Sequence, residues 1–329
     1  MLIKSDSLIK NPLVSVIIPS YNRVDTIEDT LNGVLSQKCA FDYEIIIGDD
    51  FSSQETRFLL KKYQEKYPDK IQLLFQEQNI GLAANWAHCV KLARGKYVAN
   101  CDNDDYWHLP EKLQLQVDFL EQNDDYSLVH TDYRAINSST SKVEEQIIHD
   151  LKYEDSLLRT IFYTDKFRCC NSSTLFRKSD LLKYVKLDDY IKYQFTLQDW
   201  NTWLFLAKHT KFHCLPVVST TVRWNNESVI RPVDYEKLRK RMSEEKKLNK
   251  YMCDAFPDDL VYDEKKYDAY INRTFLSLAY RKRDYKTARE YAGKLWESGR
   301  KNIKIFCALN PFLFYAFYGM KNLKRQAIK

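Results

Sequence analysis

The feature that most constrains the fold is an alternation of short apolar runs with amphipathic segments in the first third of the chain. The runs at 14–19, 43–48, 71–75 and 97–101 are short, apolar and mostly rich in β-branched residues, as buried strands are. The segments between them carry apolar residues at helical spacing. Strands that alternate with helices predict an α/β fold with a mostly parallel central sheet flanked by helices.

Polar residues follow three of these predicted strands directly. They are Ser20-Tyr21-Asn22, Asp49-Asp50 and Asp102-Asn103-Asp104-Asp105. In open α/β sheets, ligands bind beyond the carboxyl ends of the strands. The convergence of three polar segments on that edge predicts a functional site there.

The segment from Asp102 to Asp105 holds three carboxylates within four residues. Such charges repel one another, and a divalent cation such as Mg²⁺ or Mn²⁺ would compensate them while sharing its shell with substrate phosphates. The alternative is a solvated acidic turn in which Asp105 caps a helix. The position directly after a buried strand favours the metal–diphosphate site.

The other two polar segments also have alternatives. Asp49 and Asp50 could form a turn or cap the next helix, and one of them could accept hydrogen bonds from a base or a ribose hydroxyl. Tyr21 offers a flat face on which a base could stack, or it could be a core or rim residue.

Composition indicates a folded, soluble protein. Of 329 residues, 44% are hydrophobic and 29% charged, and the formal net charge is +6. This charge alone does not distinguish a nucleic acid, an anionic membrane or a phosphate-bearing substrate as partner. The eight cysteines lack paired metal-ligand spacing, so we expect reduced thiols in a cytoplasmic protein.

The sequence predicts no membrane-spanning segment near either terminus. The N-terminus lacks a charged segment followed by an apolar run, so we expect no signal peptide. No stretch reaches the roughly 20 apolar residues that span a bilayer. The aromatic segment Phe306–Tyr318, followed by Lys321, Lys324 and Arg325, could either lie at a membrane surface or pack in a helical appendage.

Four motifs in this order resemble glycosyltransferase family 2. They are the strand ending in Pro19-Ser20-Tyr21-Asn22, the loop Asp49-Asp50-Phe51-Ser52, Asn79-Ile80-Gly81, and Asp102-Asn103-Asp104-Asp105. The resemblance implies a glycosyltransferase A-type fold and inversion at the anomeric carbon. It also implies a donor-nucleotide site and a metal, Mn²⁺ or Mg²⁺, held by Asp104, Asp102 and Asp105. The donor-binding residues that we expect are Pro19, Tyr21, Asn22, Asp50, Asn79, Asp102, Asp104 and Arg223.

The resemblance also implies a catalytic aspartate further along the chain, and Gln198-Asp199-Trp200 fits that place. Asp199 would then remove a proton from the acceptor hydroxyl. The alternative is that Asp199 only caps the helix that follows.

Two positions depart from the family pattern. Phe51 stands where glycine is common, so the local backbone could differ. Val222-Arg223-Trp224-Asn225 replaces an aromatic-Arg-x-His segment. Because Asn225 is a poor metal ligand, we expect only a phosphate contact there, from Arg223.

The predicted organisation is a catalytic domain at 1–232, with a nucleotide half at about 12–107 and an acceptor half at about 108–232, and a helical C-terminal region at 233–329. The predicted function is inverting transfer of a hexosyl or related sugar from a nucleotide-diphosphate sugar, a UDP-sugar by resemblance, to a glycan or lipid-linked acceptor in surface polysaccharide synthesis. A non-catalytic sugar-nucleotide-binding protein is the alternative. We expect no nucleic acid partner and a cytoplasmic location, and peripheral contact of the C-terminal segment with the inner face of the membrane is one of its two alternatives.

Overall fold

The computed structural model describes residues 1–137, 141–146, 148, 157–163, 169–193, 195, 197–224 and 234–317. The chain divides into two compact units, Met1–Asn225 and Asn226–Lys329. The predicted domain boundary at residue 232 falls in the stretch 225–233, which lies outside the described residues.

The first unit is built on one mixed sheet. Within the described residues it has ten strands, in the order β1-β4-β3-β2-β5-β9-β7-β10-β6 with β8 paired to β7. The strands are β1 (Leu2–Ile3), β2 (Val14–Ser20), β3 (Tyr43–Asp49), β4 (Ile71–Phe75), β5 (Tyr97–Asn100), β6 (Tyr106–Trp107), β7 (Tyr126–Asn137), β8 (Val143–Gln146), β9 (Leu175–Arg177) and β10 (Lys211–Trp224).

The first half of the sheet is parallel, as the alternation predicts. β4, β3, β2 and β5 run in one direction, with Ser20 paired to Asp49 and Ile17 to Asn100. The second half differs from the prediction of a mostly parallel sheet, because β9 lies antiparallel between β5 and β7. β10, by contrast, runs parallel to β7.

Helices flank this sheet. They are α1 (Ile27–Leu35), α2 (Gln54–Lys66), α3 (Leu82–Leu92), α4 (Lys112–Gln122), α5 (Leu157–Tyr163), α6 (Lys178–Tyr184), α7 (Leu187–Tyr193) and α8 (Asp199–Ala207). α3 packs closely on β3, because a Cβ at Gly48 would lie 2.4 Å from Cys89 Sγ. The side chain of Asn85 also donates to Gly48 O at 2.6 Å. This packing places the end of β3 firmly at the sheet edge.

The second unit is helical. Its helices are α9 (Tyr235–Ala255), α10 (Glu264–Lys282), α11 (Tyr285–Glu297) and α12 (Ile303–Ala308), and residues 311–317 are also helical. Each labelled helix begins with a side-chain cap, from Asp234, Asp263, Asp284 and Asn302 respectively. Phe314 and Leu295 are buried in its core. In the described part of the chain, no helix is long and apolar enough to cross a bilayer.

Candidate active site

Hydrogen bonds tie the end of β2 to the acidic loop after β3. The Asp50 N–H donates to Ser20 O at 2.8 Å, and the Asn22 N–H donates to Ser52 Oγ at 3.0 Å. The Ser53 N–H donates back to Asn22 Oδ1 at 2.8 Å. Two of the predicted donor-binding segments are therefore held side by side at the carboxyl edge of the sheet.

Asp50 also fixes the third predicted segment. Its carboxylate accepts hydrogen bonds from the Ile80 N–H at 2.7 Å and the Gly81 N–H at 2.9 Å. The side chain of Asn79 donates to Asp50 O at 3.3 Å. Burial raises the pKa of the Asp50 carboxyl, and the two backbone N–H groups oppose that rise. Asp50 therefore holds the loop that carries Asn79.

Asp49 is fully buried and stabilises the turn between β3 and α2. Its Oδ2 accepts from Arg57 Nε at 2.7 Å and from the Ser52 N–H at 3.3 Å. The cap of α2 is Ser53, whose side chain accepts from the Thr56 N–H. Asp49 therefore stabilises the turn after β3, which was one of the two alternatives for this acidic pair. The other alternative, a helix cap, is not formed, because neither Asp49 nor Asp50 caps α2.

A tight turn follows β5, in which the Asp105 N–H donates to Asp102 O at 3.0 Å. A 3₁₀ turn, Asn171–Ser173, holds the carboxylates of this cluster. Asn171 Nδ2 donates to Asp102 Oδ1 at 2.9 Å. Ser172 Oγ donates to Asp105 Oδ2 at 2.6 Å and accepts from the Asp102 N–H at 2.9 Å. Sequence reasoning missed both side chains.

Asp105 is buried, and each of its carboxylate oxygens accepts one hydrogen bond. It is 4% exposed, and its second carboxylate oxygen accepts from the Arg223 N–H at 3.1 Å. Asp105 thereby anchors the cluster to Ser172 and β10. Its role as a metal ligand, which the sequence predicted, would use a remaining lone pair of the carboxylate and stays a prediction.

A buried series of side-chain hydrogen bonds continues from Asp102 into the core. Trp86 Nε1 donates to Asn100 Oδ1 at 2.9 Å, and Asn100 Nδ2 donates to Asn171 Oδ1 at 2.9 Å. Asn171 in turn donates to Asp102. A polar Asn100 inside an apolar strand, just before the cluster, was the signal that could have revealed this series.

Two arginines lie beside Asp104. Arg23 Nη2 is 3.5 Å from Asp104 Oδ2, and Arg223 Nη1 donates to Asp104 O at 3.1 Å. Arg223 also pairs with Asp29, and its guanidinium lies 4.7 Å from the centroid of the Tyr106 ring. Arg223 thus lies beside the acidic cluster, and its predicted phosphate contact stays a prediction. Arg23 was not predicted. Asn225 lies outside the described residues.

The carboxylates of the cluster are crowded. Burial, then the charges of Asp104 and Asp199, raise the pKa of Asp102 to about 7. Burial also raises the pKa of Asp104, although Arg23 opposes the rise. The pKa of Asp105 lies well above its usual range because of burial and its two acidic neighbours. Among the described residues, no three His, Cys, Asp or Glu side chains form a ready metal site.

Asp199 belongs to the same electrostatic environment, since its charge raises the pKa of Asp102. It is the first residue of α8, and the preceding Gln198 occupies the N-cap position without a side-chain bond. Its carboxylate accepts from the Trp200 N–H at 2.7 Å. Asp199 therefore contacts the first turn of α8 and also lies within electrostatic reach of the acidic cluster.

The predicted site residues form two groups at one sheet edge. Pro19, Tyr21, Asn22, Asp50 and Asn79 make up the first, and Asp102, Asp104, Asp105, Arg223 and Asp199 the second. Asn103 Nδ2, 3.4 Å from Ser20 Oγ, links the two. In the first group Pro19 is buried in β2, whereas Tyr21 is 49% exposed.

Comparison with solved structures gives the fold. The chain is similar to Staphylococcus aureus TarS 1-349 in complex with UDP-GlcNAc, with a TM-score of 0.52, 17% identity, and coverage of 95% of this chain and 92% of that one. It is also similar to the mannosyltransferase PcManGT from Pyrobaculum calidifontis in complex with GDP-Man and Mn²⁺, with a TM-score of 0.51, 17% identity, and coverage of 91% and 79%. The fold is the glycosyltransferase A type, as the sequence predicted.

Curated relatives match over part of their length. TuaG of Bacillus subtilis, named as a teichuronic acid biosynthesis glycosyltransferase, is 38% identical over 46% of this chain and 59% of its own. The Escherichia coli UDP-Glc:alpha-D-GlcNAc-diphosphoundecaprenol beta-1,3-glucosyltransferase WfgD is 34% identical over 39% of this chain and 48% of its own. The chain thus spans about half the length of these relatives.

The match to a family model is broader. Residues 15–184, more than half of the 329-residue chain, match the model described as glycosyl transferase family 2. This region contains all four motifs and ends before Asp199. The match and the fold together show that the chain belongs to glycosyltransferase family 2.

Proposed function

We propose that the protein transfers a sugar, with inversion, from a nucleoside-diphosphate sugar to an acceptor hydroxyl. The observation that carries this proposal is the convergence of the polar segments at one edge of the sheet, where Asp50 holds the loop at Ile80 and Gly81 and Asn171 holds Asp102. Asp199, whose charge raises the pKa of Asp102, would supply a carboxylate that can act as a base toward a donor held there. UDP-sugars are the favoured donors, because TarS binds UDP-GlcNAc and WfgD is named for UDP-Glc.

In this proposal the first group of residues binds the nucleoside. Tyr21 offers an exposed ring to the base. Asp50 and Asn22 fix the loops around it through the hydrogen bonds described above, and Asp50 can accept one further bond from base or ribose through a remaining lone pair. Asn79 lies on the loop that Asp50 holds.

Asp102 and Asp104 would hold a divalent cation, Mn²⁺ or Mg²⁺. Their raised pKa values reflect burial and crowding that a cation would relieve, and hard cations take carboxylate, phosphate and water oxygens. Only two carboxylates are then required from the protein, and Asp105 keeps the turn in place. When bound, the cation would neutralise charge on the leaving diphosphate. The complex of PcManGT with Mn²⁺ supports this choice of ion.

Side chains of the protein would carry out the proton transfer and contact the diphosphate. Asp199, as a carboxylate, would remove the proton of the acceptor hydroxyl while that oxygen attacks the anomeric carbon. Arg223, which lies beside Asp104, would contact the diphosphate. A single displacement inverts the configuration and needs no covalent enzyme intermediate.

The acceptor is proposed to be a glycan or a lipid-linked saccharide of surface polysaccharide synthesis, at the inner face of the membrane. WfgD is named for a diphosphoundecaprenol-linked acceptor, and TuaG for teichuronic acid. The second unit exposes an apolar set suited to a headgroup layer, namely Ile303, Phe306, Phe312, Leu313 and Tyr315. Lys301 and Arg300 beside it are cationic and exposed.

The proposal is tested by titrating UDP, with and without Mn²⁺, into the wild-type protein and an Asp104→Ala variant. We expect metal-dependent binding to weaken about tenfold or more in the variant, since the cation loses a ligand. Asp25→Ala is the matched control, because Asp25 is exposed and its charge also raises the pKa of Asp104. Undiminished metal-dependent binding to folded Asp104→Ala would contradict the assignment.

A further inference from the structure

Phe51 has an unusual backbone conformation for its residue type. Its φ of 65° lies in the left-handed region, where glycine is favoured and a bulky side chain is an outlier. Phe51 thus keeps the backbone conformation that glycine adopts without strain. Its side chain is also 51% exposed, so core packing does not account for the ring. Strained residues of this kind cluster at functional sites.

The ring of Phe51 is fixed from one side. The guanidinium of Arg57 lies 5.2 Å from its centroid and 5.1 Å from the centroid of the Phe75 ring. Arg57 is held in turn by Asp49 Oδ2 at 2.7 Å and by Gln76 O at 2.8 Å. One face of the Phe51 ring is therefore covered by an immobilised cation, and the exposed half of the side chain faces solvent.

Tyr21 lies in the adjoining segment. The hydrogen bond from Asp50 N to Ser20 O precedes both aromatic residues, and the bond from Asn22 N to Ser52 Oγ follows both. Tyr21 and Phe51 are thus held in neighbouring segments at the carboxyl edge of the sheet. Both side chains are about half exposed, at 49% and 51%.

We propose that Phe51 is a further binding residue of the donor site, whose open face packs on the flat base of a nucleoside diphosphate beside Tyr21. This inference rests on the proposed function. Aromatic side chains pack on the π-face of any base, and a ring that is already positioned loses little freedom on binding. The competing explanation is that the ring only shields the Asp49–Arg57 pair from water.

The test compares Phe51→Tyr, Phe51→Leu and Phe51→Gly by calorimetry in the presence of Mn²⁺. The probe is whichever of UDP, GDP and dTDP binds the wild-type protein most tightly. We expect Phe51→Tyr to bind as wild type and the other two to bind about tenfold more weakly, through loss of the aromatic face. Phe58→Leu is the control, since Phe58 is a 73% exposed residue of α2.

Thermal unfolding separates the two explanations. Glycine adopts the left-handed conformation without strain, so Phe51→Gly should be no less stable than wild type while it binds the nucleotide more weakly. Unchanged binding by Phe51→Leu and Phe51→Gly would overturn the inference and leave the proposed function intact. A wild-type protein that binds none of the three nucleotides would contradict the proposed function itself.

Discussion

Lys112 is fully buried at the start of α4, with its ammonium 4.0 Å from the centroid of the Trp107 ring. It donates to Gln116 Oε1 at 2.6 Å, and Gln116 Nε2 donates to Val129 O and to Ser173 O. Lys112 thereby supports the turn that holds Asp102 and Asp105. Burial lowers its pKa from 10.5 to about 7.

This shift predicts a pH dependence of stability. Because the folded pKa lies below the unfolded one, the unfolded chain binds more protons between about pH 7 and pH 10.5. The free energy of unfolding of the wild-type protein, relative to Lys112→Met, should therefore increase as pH rises through that window. Urea unfolding of both proteins at several pH values measures the difference. A difference that is flat or falls with pH would contradict the shift.

At the scale of single residues, the sequence predicted which side chains carry charge at the site but not which groups hold them. Asp102 and Asp104 stand out because they follow a buried strand. Asn171 and Ser172 lie far along the chain, and only the pairing of β9 with β5 brings them beside the cluster. Asp25, with Glu28 three residues on, has the sequence pattern of a capping box and predicts a helix that begins after Asp25, which was wrong. α1 begins after Thr26, whose hydroxyl donates to Asn103 O instead of capping the helix.

At the scale of elements, the 3₁₀ turn at 171–173 is one part of the acceptor half that holds the acidic cluster. Ser172 is fully buried and bonds both to Asp105 and to the Asp102 backbone. Trp107 Nε1 also donates to Ser172 O at 2.6 Å. The turn therefore couples β5, β6 and the carboxylates of the cluster.

Ser172→Ala should both destabilise the protein and weaken donor binding. Loss of its hydroxyl leaves buried partners unsatisfied, at a cost of about 1–3 kcal/mol in the free energy of unfolding. Ser173→Ala is the matched control, since its buried hydroxyl donates only to Cys170 O at 2.8 Å. Urea unfolding and Mn²⁺-dependent UDP titration are the measurements. Equal donor affinity in the two variants would show that the turn does not position the carboxylates.

The four parallel strands β2 to β5 were predicted within two residues, because each is a continuous apolar run bounded by turn residues. The long strand β10 of the acceptor half was not. β10 contains Pro216, which argues against a central strand because proline cannot donate to a ladder. The structure accommodates it where the register with β7 shifts, between Leu215 and Val218. This register shift depends on pairing with β7, so the local sequence around Pro216 does not predict β10.

At the scale of the whole molecule, eight free cysteines agree with the expectation of reduced thiols. The helical unit buries Ile305 and Phe314 while it leaves Phe306 and Phe312 52% and 85% exposed. The aromatic segment thus packs some of its rings in a helical core and exposes others, while its contact with a membrane surface stays a prediction. Residues 318–329, which include Lys321, lie outside the described residues.

Because the exposed aromatic residues are distinct from the buried ones, membrane binding can be tested with substitutions that leave the helical core unchanged. Phe306→Ser with Phe312→Ser should reduce co-sedimentation with anionic phosphatidylglycerol vesicles, and Phe58→Ser on α2 should not. Binding of the wild-type protein should also fall at high salt, because the screening length drops from about 10 Å at 0.1 M to about 3 Å at 1 M. Equal binding by the double variant and the wild type would exclude the exposed aromatic side chains from the contact.

The central claim is that Asp199 acts as the base of a glycosyl transfer. Its most direct test is the rate of UDP release from UDP-Glc or UDP-GlcNAc, with Mn²⁺ and a glycoside acceptor, for Asp199→Asn against wild type. Asp188→Asn is the control, as an exposed acidic residue in the first turn of α7. We expect Asp199→Asn to bind UDP as tightly as wild type but to turn over about 10²–10⁴-fold more slowly. Turnover by folded Asp199→Asn at the wild-type rate would contradict it.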